Sequence, residues 1–192
     1  MSIRRINPQK EAQDITITEK FKQEMEKLKK TEPEITDALD ALQNLKGYTG
    51  DVTSLVQRMR ELAERVATGT LSVEDCGMAQ TENEQLQEEL DRLAASPMLS
   101  QIKNRFVTDG KLTLQVGAEG KKQSVSIPYR DMTCASLGID TDKVNISTPE
   151  NAIKSQGFLN AAGELLNGQN TMLDSLNNRL EHVRKDIEDF FS

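Results

Sequence analysis

The chain has one histidine, His182, two cysteines, Cys76 and Cys134, and a cluster of glycines between Gly110 and Gly120. A single histidine cannot form the HExxH pair of a zinc hydrolase, and a catalytic triad would have to recruit His182 from within a helical heptad. Neither cysteine sits in a CxxC pair or beside a histidine at metal-ligand spacing, so both read as ordinary free thiols. The glycines match neither GxxxxGK[ST] nor GxGxxG. No catalytic, cofactor or metal site emerges, and the chemistry left is that of protein contacts. In the stretch 55–66 the best candidates are Arg58, whose guanidinium is a forked donor, and Leu62, an apolar anchor of the kind common at interface centres.

Those residues must be carried by helices. Leu55, Met59, Leu62 and Val66 recur at helical spacing and leave Arg58, Glu61 and Arg65 off the apolar stripe. Periodicity alone therefore also permits Arg58 and Glu61 to be a solvated face and Leu62 to be core. Upstream, Phe21, Leu28, Ile35 and Leu42 keep heptad spacing, and the stripe then steps to Leu45, Val52, Met59 and Val66, which marks a stutter. Pro33 lies inside this stretch and predicts a kink or short break near 31–33. Gly69 ends the first helix, and Ser72 with Asp75 opens a second in the manner of a capping box, running to about Ala94 with Pro97 beyond it.

Alternation of Leu112, Leu114 and Val116 against Val125 and Ile127, joined across Gly117 to Gly120, predicts a β-hairpin. Ser147, Thr148, Pro149 and Glu150 combine an N-cap, a proline for the first helical position and a carboxylate at the positive helix end. In the long helix that follows, Leu159, Leu166, Leu173, Leu180 and Ile187 form a heptad seam, with Ala162, Leu176, Val183 and Phe190 as companions. Gln169 interrupts the companion row and would need a partner if buried. Gly157, Gly163 and Gly168 weaken the first half of this helix.

The expected helices span about 15–68, 73–95 and 149–190, with a hairpin at about 111–128 and a poorly ordered lead-in over 1–14. Residues 15–192 read as a single domain. With 192 residues but no Trp, two Tyr and five Phe, the core must come mainly from Leu, Ile, Val, Met and Ala, which suits thin helical seams. The fold class is mainly α: an elongated antiparallel helical bundle or coiled-coil rod with a small β-hairpin. The terminal helices pair, the second helix packs against both, and the hairpin covers one end. Some 45 helical residues would span roughly 65 to 70 Å. A globular four-helix bundle fits the unequal helix lengths less well. The net charge of −7 argues against a nucleic-acid partner. No apolar run is long enough for a signal peptide or a membrane span, so no membrane partner is expected.

The wording of several segments resembles bacterial flagellin. QRMRELA at 57–63, a TGT turn and an acidic helix ending in LDR at 90–92 match the flagellin rod domain without a gap. NISTPENA at 145–152 and NNRLEH at 177–182 match in the right order. LTLQVGAEGKKQSVSI at 112–127 and DMTCASLGI at 131–139 resemble the flagellin hairpin and the motif after it, and ITEKF at 17–21 and LQNLKG at 42–47 resemble its first rod helix. The resemblance covers roughly 15–187.

The resemblance implies a structural subunit of the flagellar filament, extracellular and exported through the flagellum's own channel without a cleaved signal peptide. It places Gln57, Arg58, Leu62 and Glu82 at positions that contact neighbouring subunits along a protofilament and that vertebrate Toll-like receptor 5 recognises. The chain departs from the family at both ends: it starts almost at RRIN (4–7) and stops soon after NNRLEH, where flagellins continue with segments that build the filament core. The expectation is a monomer for the isolated chain, as the rod fragment of a flagellin. The alternative is a naturally short, cytoplasmic flagellin-like protein acting as a binding partner or regulator, and third a hook-filament junction protein.

Overall fold

The computed structural model describes the backbone of residues 8–115 and 124–191 and the side chains of 32–114 and 124–189. The first helix, α1, is Pro8–Ala67, so residues 8–14 are helical rather than an unstructured lead-in. Its 60 residues correspond to about 90 Å. The expected break at Pro33 is absent and the helix runs through it. One missing backbone bond is tolerated because the turns that follow are held by tertiary packing, with Ile35, Ala38 and Leu39 buried. Leu42, Leu45, Val52, Met59 and Val66 continue the buried stripe across the stutter. The side chains of Phe21 and Leu28 lie outside the described residues.

Gly69 takes the left-handed conformation that ends α1, and its N–H donates to the Val66 carbonyl. Helix α2 is Val73–Ala94, and the Ser72 hydroxyl caps it by accepting from the Asp75 N–H at 3.1 Å. Pro97, read from sequence as a stop, instead opens a further helix, α3 (Pro97–Phe106), with Ser96 as N-cap. A proline at the first helical position gives up no bond, and Leu99 and Ile102 bury the face that holds the helix in place.

The sheet has three antiparallel strands, β1 (Val107–Thr108), β2 (Lys111–Gln115) and β3 (Ser124–Pro128), in the order β1-β2-β3. Leu112 faces Ile127 and Leu114 faces Val125, the pairing that alternation requires. Strand β1 extends the expected hairpin. Asp109 and Gly110 both have positive φ, which supplies the mirror-image two-residue turn whose twist suits a hairpin. Val116 and the Gly117 to Gly120 connection lie outside the described residues. A short helix, α4 (Cys134–Leu137), is capped by Thr133 and closed by left-handed Gly138. The last helix, α5, is Pro149–Phe191, and the Thr148 hydroxyl accepts from the Asn151 N–H.

Helices α1 and α5 pair antiparallel: Lys46 bridges to Asp174, while farther along α1 Arg60 comes beside Gly163. The core runs along this pair. Where the second helix was expected to pack against both long helices, α2 packs mainly on α1 and touches α4, and α4 in turn packs on α5. Part of α2's inner face is polar, with Asn83 and Gln87 buried, and it holds the segment 131–146, which includes the short α4. The sheet does not cover an end. Strand β3 meets α5 midway, where the Gln169 amide donates to the Pro128 carbonyl at 3.4 Å. The buried amide thus finds its partner in the strand.

Candidate inter-subunit contact site

On the turn of α1 around residue 60, helical spacing sends Met59, Leu62 and Ala63 inward and Gln57, Arg58 and Glu61 outward. Arg58 reaches across to α2, where Glu82 accepts from its Nη2 at 2.6 Å and its Nε at 2.7 Å. Its other terminal nitrogen lies 3.6 Å from Glu61. The hydrogen bond to Glu82, and then that carboxylate's charge, raise the Arg58 pKa above the ordinary arginine value. Gln57 joins the same network: its amide donates to Glu61 at 3.5 Å and its carbonyl oxygen accepts from Arg60 at 3.4 Å. The result is a planar, forked, exposed polar surface spanning two helices.

Leu62 does not belong to that surface. It is 1% exposed, so it is a floor beneath the polar network and not an anchor offered to a partner. Its place in the stripe with Met59 and Val66 decides this, because all three share the inward face. The structure therefore brings Gln57, Arg58 and Glu82 together and separates Leu62 from them.

The seam residues Leu159, Leu166, Leu173, Leu180 and Ile187 are all buried along α5. Cys76 and Cys134 are free and buried. Burial first, and the Asp91 carboxylate next, push the Cys134 thiol up to about 12, so it stays protonated and unreactive at neutral pH. His182 is exposed on α5, and no group of His, Cys, Asp and Glu among the described residues is placed to hold a metal ion.

Sequence reasoning missed the polar anchors of the segment 131–146. Gln80 accepts from the Ile146 N–H at 2.7 Å, Gln87 donates to the Ile139 carbonyl at 2.8 Å, and Asp91 accepts from the Cys134 N–H at 2.8 Å. These three lie along one side of α2, a pattern of polar residues next to the apolar stripe that was visible but carried no named partner.

A family model described as the bacterial flagellin N-terminal helical region matches residues 4–102, which contain α1, α2 and the whole contact surface. The chain belongs to the bacterial flagellin family. Among relatives, flagellin FlaB1 of Treponema pallidum (strain Nichols) is 28% identical over 187 residues, covering 90% of this chain and 65% of that protein. The flagellar filament 33 kDa core protein of Treponema phagedenis is 27% identical over 187 residues with the same coverage. This flagellin chain thus spans just under two thirds of the length of those relatives. The crystal structure of Bacillus cereus flagellin superposes with a TM-score of 0.67 at 21% identity, over 81% of this chain and 88% of that one. That likeness concerns the fold, a helical flagellin rod with a small antiparallel sheet.

Proposed function

We propose that this flagellin chain is the rod of a structural subunit of the extracellular flagellar filament, and that it acts by protein contacts without catalysis. The observation that carries the reading is the Arg58–Glu82 fork standing out from α1 and α2 within the segment that matches the flagellin family. Gln57, Arg58 and Glu82 are its contact residues toward a neighbouring subunit, and the same surface is the one offered to Toll-like receptor 5. A second strip supports lateral packing: Phe158, Leu165 and Met172 recur at heptad spacing on the outer face of α5 and remain partly exposed. On this reading the isolated chain is a monomer. No helix among the described residues is long and apolar enough to cross a membrane.

Peptide mass spectrometry of flagella sheared from the source cells, set against the cytosolic and medium fractions, tests the reading. Enrichment of its peptides in the sheared filaments is expected. Their confinement to the cytosol would overturn it.

A further inference from the structure

Three hydroxyls between residues 49 and 54 of α1 turn back on their own helix. Thr49 donates to the Leu45 carbonyl at 2.8 Å, Thr53 to the Thr49 carbonyl at 2.7 Å and Ser54 to the Gly50 carbonyl at 3.0 Å. Each such bond competes for a carbonyl that the helix itself uses, which loosens the turn and favours bending. Gly47 and Gly50 lie in the same stretch, both exposed, and a methyl group at either would meet no atom within 4 Å. Close packing therefore does not require them, and each weakens the helix relative to alanine. Glycine beside serine is a recurrent place for a helix to bend.

The partner helix is weak at the same level. Lys46 bridges to Asp174 and Arg60 lies beside Gly163, so residues 47–54 of α1 run past roughly 168–173 of α5. There Gly168 is exposed with open space where a side chain would go, and the Thr171 hydroxyl donates to the Asn167 carbonyl at 2.9 Å. The seam also turns polar here: Thr49 and Gln169 are both buried and stand about one turn apart along the rod. A polar residue in a helical seam gives up stability. Farther along α1, Met59, Leu62, Ala63 and Val66 are buried in a stretch, 55–67, that holds no glycine, serine or threonine.

We propose that this level is a bending section of the rod, at which α1 over 47–54 and α5 over 168–171 yield together while the seam beyond it stays stiff. A weak stretch on one helix alone would be splinted by a straight partner. With helix propensity and apolar grip reduced on both helices at one level, no splint remains. The section belongs to the chain itself and needs no neighbouring molecule.

Hydrogen exchange of the native chain, read by mass spectrometry, should be several-fold to about tenfold faster in peptides from 45–54 and 167–172 than in those from 56–66. The Gly47→Ala/Gly50→Ala/Gly168→Ala variant places its methyl groups in open space, so it keeps its fold. It should slow exchange in the first two regions by about the same factor and leave 56–66 unchanged. Exchange alone reports helix strength, so bending is read separately, by double electron–electron resonance between nitroxides coupled to p-acetylphenylalanine at positions 34 and 64, about 45 Å apart along α1. Glu34 and Glu64 are both exposed, and the pair lies wholly beyond Pro33. The distance distribution should be broad in the native chain and narrow in the alanine variant. Equal protection of 45–54 and 56–66, or the same distribution width in both chains, would overturn the proposal.

Discussion

Arg58 of α1 and Glu82 of α2 are joined through two guanidinium nitrogens, 2.6 and 2.7 Å from a single carboxylate oxygen, on a surface where both side chains remain partly exposed. Solvent screens such a pair, so its contribution to folding is small and its geometry matters mainly to whatever docks there. Arg58→Ala and Glu82→Ala should leave the circular-dichroism melt unchanged. Binding to a neighbouring subunit, or to Toll-like receptor 5 in a pulldown, should fall in both. A lowered melt with intact binding would sink the assignment of this surface as a contact.

Leu62→Ala should behave in the opposite way. As a buried residue beneath the network it should cost about 2 to 5 kcal/mol of stability, and its effect on binding should follow the fraction unfolded. Denaturant titration beside the pulldown separates the two. Selective loss of binding at full stability would return Leu62 to the interface.

Leu173, in the middle of the α5 seam, should likewise cost about 2 to 5 kcal/mol when cut to alanine. The exposed neighbour Thr171, changed to alanine, should alter stability by less than about 0.5 kcal/mol. A near-zero result at Leu173 would contradict the pairing of α1 with α5.

Gln169→Met keeps the volume of the side chain but removes the donor to Pro128. The expected loss is about 1 kcal/mol, with faster amide exchange in β2 and β3 than in α2. Uniform acceleration across the chain would mean that the bond does not fasten the sheet to α5.

The Cys134 thiol titrates at about 12 in the folded chain against 9.0 for a free thiol. The folded value is raised, so this contribution is fully present below pH 9.0 and is lost progressively as pH rises toward about 12, where the unfolded chain releases its proton first. Alkaline titration of stability should show a decline in that window that is smaller in Cys134→Ala, the remainder coming from the phenols of Tyr48 and Tyr129, which burial also pushes up. Iodoacetamide at pH 8 should spare Cys134 in the native protein and label it in denaturant, as read by peptide mapping.

The seams and caps were legible because they are local. Leu159 to Ile187 repeat at heptad spacing, and Ser147, Thr148 and Pro149 announce α5 within a few residues. Helix α3 was hidden because Pro97 serves equally to end one helix and to begin the next. The β1–β2 turn was signalled by Asp109-Gly110, but a two-residue strand before it leaves no alternation to read. Leu62, which the resemblance put among the contact positions, lies inward because it shares the apolar stripe with Met59 and Val66. The attachment of residues 131–146 to Gln80, Gln87 and Asp91 was not legible at all, since hydrogen bonds between distant segments leave no period in the sequence.

The opposed run of α1 and α5, with Lys46 beside Asp174, has a kinetic consequence. Most of the seam joins residues separated by more than half the chain, so its formation must wait on the closure of a long loop and should be slow relative to the α1–α2 hairpin. During synthesis the inward face of α1 therefore stays without its main partner until α5 has emerged. Until then Met59, Leu62 and Val66 face either α2 or solvent, and the young chain passes through an interval in which its most apolar face is half covered.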